Sequence, residues 1–196
     1  MWAVVSGGSA HEREPSGLFR ISPAGYARPV RTAEVRLATA DDAGALGALR
    51  HVWSPPSSPP TSESREEFAV HLETWMRDQS DSLVCAVAEG DGRLVGMAWL
   101  VIFERVPNPG QPRRLHGDVQ SVFVTPEFRG QGLGYKLVRA ICDAADERGL
   151  AKVGVFANDR ALTLYRRLGF RDSGVLLERD LGASDTERTQ TAEDQP

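Results

Sequence analysis

Cysteine is scarce in this chain, with two residues, Cys85 and Cys142, among 196. They stand far apart in apolar strand-like and helix-like surroundings, so they read as buried thiols rather than as a bridge or a metal pair. That usage suits a reducing cytoplasm. No apolar run approaches the ~18 residues of a membrane span, so no membrane partner is expected. The start, Met1 to Ala10, lacks a basic segment followed by a long apolar one and makes a poor secretory signal. Positive charge is not in excess either: the net charge is -4, which argues against a general nucleic-acid binder. What is present is ordinary for a globular chain. Hydrophobic residues make up 41% and charged residues 26%, enough for a sizeable core in one domain of ~100–200 residues.

The chain is organised around the stretch from Val122 to Leu137. It opens as an apolar run rich in β-branched and aromatic residues, which reads as a buried strand end. Thr125-Pro126 stops the strand, because proline has no N–H for a ladder. Gly130, Gly132 and Gly134 follow at every second position, and then Leu133, Leu137, Val138, Ile141, Ala144 and Ala145 recur at helical spacing. A strand, a glycine-rich turn and a helix make an anion cradle: glycines allow close backbone approach, and the helix N-terminus is partly positive. Arg129 and Lys136 add full charges. A dinucleotide fingerprint fails, since Tyr135 stands in the third glycine's place. A P-loop fails too, with Tyr135 before Lys136 and Leu137 after it.

The flanking chain reads as one domain with two extensions. Residues 1–32 lack periodicity, and four arginines against two glutamates leave them at +2. They are expected to be a flexible arm, or a lid that packs on the domain or within a homodimer. The domain proper, residues 33–180, begins with a strand from Ala33 to Ala38. Thr39 or Asp41 then caps a helix carrying Ala45, Leu46, Leu49 and Val52. Trp53 to Pro60, rich in proline, ends that helix. A second helix is expected from Ser62 or Ser64 to Arg77, with Phe68, Leu72, Trp75 and Met76 on its apolar face. Strands from Ser82 to Ala88 and Arg93 to Phe103 form a hairpin about Gly90-Asp91-Gly92. Its register is left open, because both strands are apolar throughout. Leu115 to Val124 is the strand that feeds the glycine turn. After the helix ending at Arg148-Gly149 come a strand from Ala151 to Ala157, a helix capped by Asn158, and a last strand begun by Phe170. The tail, residues 181–196, carries four acidic residues against Arg188 and is expected to be disordered.

Two stretches carry a family resemblance. Arg129, Gly132 and Gly134 fit Arg/Gln-x-x-Gly-x-Gly/Ala, the acyl-CoA loop of the GNAT superfamily of N-acetyltransferases. Asn158, Ala161, Tyr165, Gly169 and Phe170 fill every position of that family's Asn-x-x-Ala-x-x-x-Tyr-x-x-x-Gly-Phe signature. The chain therefore resembles a GNAT acetyltransferase over residues 33–180. The resemblance implies an α/β (α+β) fold: a mixed, mostly antiparallel sheet of six to seven strands, about four flanking helices, and a splay between two central strands. It also implies acetyl-CoA as co-substrate, no metal, and a small-molecule or peptide amine as acceptor.

By that resemblance, amides from Gln131 through Gly132, Leu133 and Gly134 to Tyr135 hold a pyrophosphate, flanked by Arg129 and Gly130. Backbone groups of Phe123 and Val124 pair with the pantetheine arm, a strand-like mode of recognition, and Asn158 contacts it while capping its helix. A main-chain amide at the strand end, Val124 by preference, polarises the thioester carbonyl. Tyr165 donates the proton to the leaving thiolate, which a phenol of pKa ~10 can do at neutral pH. For the base, His116, Asp118 and Gln120 share one strand face because strand period is two. Asp118 is preferred as the catalytic base, with Gln120 and His116 beside the acceptor, Glu104 as the next carboxylate, and Trp53, His51 and Trp75 shaping the pocket. A non-catalytic CoA-binding member of the same fold and a longer acyl donor both stay open as alternatives.

Overall fold

The computed structural model describes residues 32–53 and 62–174. Among them five strands form one sheet in sequence order: β1 (Glu34–Leu37), β2 (Leu83–Gly90), β3 (Arg93–Glu104), β4 (Leu115–Val124) and β5 (Lys152–Val155). The first four are antiparallel, and β5 runs parallel to β4. Four helices flank the sheet: α1 (Ala43–Trp53), α2 (Arg65–Asp78), α3 (Leu133–Glu147) and α4 (Leu162–Arg167). The mixed architecture is the expected one, with fewer strands than the six to seven anticipated. Phe170 to Gly174 joins no ladder, and the rest of that expected last strand lies outside the described residues. So do residues 1–31 of the expected arm, the proline run and the expected tail.

Local chemistry explains the element ends. Ser64 Oγ accepts from the Glu67 N–H at 3.1 Å while the Glu67 carboxylate accepts from the Ser64 N–H at 2.8 Å, a reciprocal cap that starts α2. Asp91 and Gly92, at φ +53° and +70°, form the two-residue turn between β2 and β3, where both central positions need positive φ.

Both faces of the sheet are covered, which is why the apolar strands left the hairpin register unreadable. On one face α3 buries Leu133, Leu137, Val138, Ile141, Ala144 and Ala145 against Val84, Ala86, Ala98, Leu100 and Val119. On the other, α1 and α2 bury Leu46, Leu49, Leu72 and Met76 against Cys85, Val87, Met97, Trp99 and Phe123. Cys85 and Cys142 are free thiols. No helix among the described residues is long and apolar enough to cross a membrane.

Two irregularities of β4 position the site. Its register against β3 passes from Trp99↔Gln120 to Met97↔Phe123, so β4 carries one extra residue there. Ser121, at φ +51°, sits in this bulge, and the bulge turns Phe123 onto the same face as Gln120. On the other edge, pairing with β5 ends at Val119↔Val155, although β4 continues to Val124. β5 itself ends at Val155, so Gln120 to Val124 lack a strand partner on that edge among the described residues, an opening at the place where the resemblance implies a splay.

Candidate active site

The glycine turn lies at the end of the opening. Gly130 and Gly132 adopt φ +80° and +76°, a left-handed conformation that costs other residues about 1–2 kcal/mol. A Cβ at either position would meet nothing within 4 Å. The first helical bond of α3 runs from the Lys136 N–H to the Gly132 carbonyl. The N–H groups of residues 130–135 have no acceptor among the described residues. Six consecutive donors are thus left without an acceptor among the described residues at the positive end of a 15-residue helix. Leu133 is itself buried, so it offers a ligand its N–H alone. Arg167 lies 5.1 Å over the Tyr135 ring, adding a cation beside the turn.

The strand end presents one peptide to the opening. Thr125 N–H donates to the Val95 carbonyl at 2.8 Å. By strand alternation the Phe123 peptide groups also face β3, where Phe123 pairs with Met97, and those of Val124 face the opening. The Val124 carbonyl accepts from Arg129 Nε at 2.8 Å. Strand-like pairing with a ligand therefore falls to Val124, while Phe123 contributes its buried ring, over which the Arg129 guanidinium lies at 5.7 Å.

Tyr165 belongs to the α3-side cluster, 6% exposed and edge-on to Phe170 at 5.4 Å. Its hydroxyl makes no hydrogen bond among the described residues. Burial, and secondarily the Cys142 thiol, raises its pKa above the ordinary phenol value, which keeps it a proton carrier at neutral pH. Asn158 Oδ1 accepts from the Ala161 N–H at 3.2 Å, capping the turn that leads into α4.

On the opposite face a cavity of about 320 Å³ lies between α1, α2 and the bulge, lined by Arg50, Phe68, His71, Leu72, Trp75, Trp99, Val101, Gln120 and Ser121. The sequence reading had named Gln120 and Trp75; Arg50, Ser121 and Trp99 escaped it, since no motif marks side chains that meet from four separate elements. Arg50 Nη1 donates to Ser121 Oγ at 2.6 Å, and its guanidinium lies 5.3 Å over Trp53. Asp118 stands next along the same face, its Oδ2 accepting from Gln120 Nε2 at 2.8 Å.

The structure does not bring Glu104 or His116 to this cavity. Glu104 is five residues along β3 from Trp99, about 17 Å at ~3.4 Å per residue, exposed and 3.6 Å from Arg113. His116 stacks edge-on with Phe103 at 6.1 Å. Desolvation, then Arg105, Arg114 and Lys152, lowers its pKa. Trp53 backs Arg50 rather than lining the cavity, and His51 packs against Phe68.

A cradle of unclaimed amides beyond the end of β4 suits an anion, and a separate cavity lies on the α1/α2 face of the sheet. The profile of the Acetyltransferase (GNAT) family matches residues 47–170. The chain belongs to that family. Over 80 residues it is 36% identical to a glucosamine 6-phosphate N-acetyltransferase of Trypanosoma brucei brucei, covering 41% of this chain and 52% of that protein. Over 159 residues it is 32% identical to a mycothiol acetyltransferase of Clavibacter michiganensis, covering 80% of this chain and 46% of that protein. The chain thus spans about half the length of the curated relatives it matches. Its fold resembles a crystal structure of a predicted acetyltransferase with acetyl-CoA from Clostridium acetobutylicum. That likeness has a TM-score of 0.61 at 18% identity, covering 76% of this chain and 96% of the other.

Proposed function

We propose that this protein transfers an acetyl group from acetyl-CoA to a primary amine by direct attack in a ternary complex. The observation that carries this reading is the row of unclaimed N–H groups at residues 130–135, set beyond the end of β4 and past its last pairing with β5. Those amides, with Arg129 beside them, would hold the pyrophosphate. The opening-facing peptide of Val124 would pair with the pantetheine, and its N–H would stabilise charge developing on the thioester oxygen.

The two faces of the sheet then supply opposite halves of the reaction. The amine arrives from the cavity side and gives up a proton to Asp118, directly or through a water held by Gln120. Its nitrogen attacks the carbonyl carbon; the C–N bond forms, the C–S bond breaks, and the electron pair passes to sulfur. Tyr165, from the α3 side, protonates that sulfur and recovers its proton from solvent. The sum is an amide, free CoA and one released proton. With both cysteines free, we assign the reaction to a reducing, cytoplasmic setting.

The test is acceptor-dependent release of free CoA thiol across a panel of amines. Release that requires an amine supports the transferase reading. Tight CoA binding with no amine-dependent release would make the chain a CoA-binding member of the fold without transferase activity.

A further inference from the structure

Resting on the reading that Val124 pairs with a pantetheine, we infer that Arg50 is a positioning residue for that pairing: it holds Ser121 in the bulge of β4, and the bulge turns the Val124 peptide to the opening. Peptide groups alternate in direction along a strand, so one extra residue reverses every direction beyond it. β4 carries that residue between Gln120, opposite Trp99, and Phe123, opposite Met97. With it, the peptide groups of Phe123 face β3 and those of Val124 face away from β3. Without it, the strand would slip by one position beyond Gln120 and the two would exchange directions.

Serine does not favour the bulge by itself. Ser121 stands at φ +51°, a left-handed conformation that glycine adopts freely and a residue with a Cβ does not. Such strain persists only where the surroundings over-determine it. Arg50 is part of those surroundings: its Nη1 donates to Ser121 Oγ at 2.6 Å, joining residues 71 positions apart.

The guanidinium is itself firmly mounted. Arg50 lies in the last turn of α1, and Leu46 and Leu49 of that helix are buried in the cluster that holds Met97, Trp99 and Phe123. The helix that carries Arg50 is thus packed on the two strands between which the bulge occurs. Trp53 lies under the guanidinium, 5.3 Å from it, and limits how the side chain can turn. A charged donor makes the bond stronger than a neutral one would, and half-burial keeps water from competing for it. The influence of Arg50 therefore runs through Ser121 to Val124.

The experiment is calorimetry on the full chain with two ligands, CoA and 3′-phospho-ADP, which carries the pyrophosphate and lacks the pantetheine. The nucleotide reports on the cradle at residues 130–135, and the difference between the ligands reports on Val124. Arg50→Ala should weaken CoA on the order of tenfold, within the range for losing a hydrogen bond to a charged group, and should spare the nucleotide. Two changes at Ser121 separate this route from the other contacts of Arg50. Ser121→Ala loses the hydroxyl and keeps the Cβ that opposes positive φ, so it should weaken CoA as Arg50→Ala does. Ser121→Gly loses the hydroxyl but takes the left-handed conformation freely, so its loss should be smaller. Adding Arg50→Ala to Ser121→Gly should then weaken CoA little further, as expected for two residues that act through one bond. The Ser121 pair tests the inference even where Arg50→Ala does not fold. Equal CoA affinities in Ser121→Ala and Ser121→Gly would overturn it. So would an Arg50→Ala loss that persists in full beside Ser121→Gly, or one that falls equally on the nucleotide. A wild-type chain that binds no CoA would overturn the pantetheine reading itself, and this inference with it.

Discussion

The two faces of the sheet are finished differently. On the α3 side packing is continuous: Leu137, Val138 and Ile141 are each fully buried, and apolar residues of α4 and β5 close over them. On the α1/α2 side packing stops at Trp99 and Leu72, leaving a cavity lined in part by the half-buried Arg50, with a buried Trp99 N–H that has no hydrogen-bond partner among the described residues. The first face behaves as a core that also seats Tyr165. The second has exchanged packing for a recessed polar edge, which fits the place where a variable partner must enter.

The strongest way to sharpen this contrast is Tyr165→Phe, which removes one hydroxyl from the packed face. Stability and CoA affinity should persist while kcat falls by ~10²–10⁴. Turnover within about twofold of wild type would return Tyr165 to packing alone. Next is Ile141→Ala, which deletes a side chain with 0% exposure and should cost about 2–5 kcal/mol. Chemical denaturation of this variant beside Trp75→Ala should show a smaller loss for Trp75, which is 41% exposed on the cavity side. Equal losses would remove the distinction between the faces.

Asp118→Asn should slow turnover on the order of 10²-fold at low pH, with the deficit shrinking as the amine deprotonates unaided. A parallel deficit at every pH would mean positioning rather than proton removal. The smallest effect is expected far from the opening. Arg36 Nη2 lies 2.7 Å from Asp42 Oδ1, and this hydrogen bond is the main cause that lowers the Asp42 pKa below 3.8. A depressed folded-state pKa stabilises the fold above 3.8 and loses that contribution as pH falls through the lowered value. Asp42→Asn should therefore cost roughly 0.5–1 kcal/mol at neutral pH, as exposed pairs do, and progressively less in acid.

These expectations also show what was legible before the structure. The anion cradle was, because its function lies in the backbone: positive φ at Gly130 and Gly132 demands glycine, and the helix that follows repeats with a fixed period. All six apolar residues expected on α3 are buried. Strand register was not legible, because β2 and β3 are covered on both faces and lose the alternation that would orient them. The bulge at Ser121 was hidden too, since serine carries no mark of positive φ; yet that bulge sets Phe123 on the cavity face. The acceptor side was the least readable. Arg50, Trp75, Trp99 and Ser121 are contiguous only after α1, α2, β3 and β4 pack. Glu104 and His116 shared a plausible strand neighbourhood with Gln120 but sit too far along it.

Calorimetry of CoA binding to the wild-type chain and to Gly132→Val tests the central claim most directly. Valine at φ +76° is forced from the conformation that shapes the cradle, and its branched side chain occupies the space above the cradle's N–H groups. With thermal unfolding verifying that the variant is folded, wild type should bind CoA saturably and Gly132→Val should show no measurable binding. Unchanged CoA affinity in the folded variant would contradict the account.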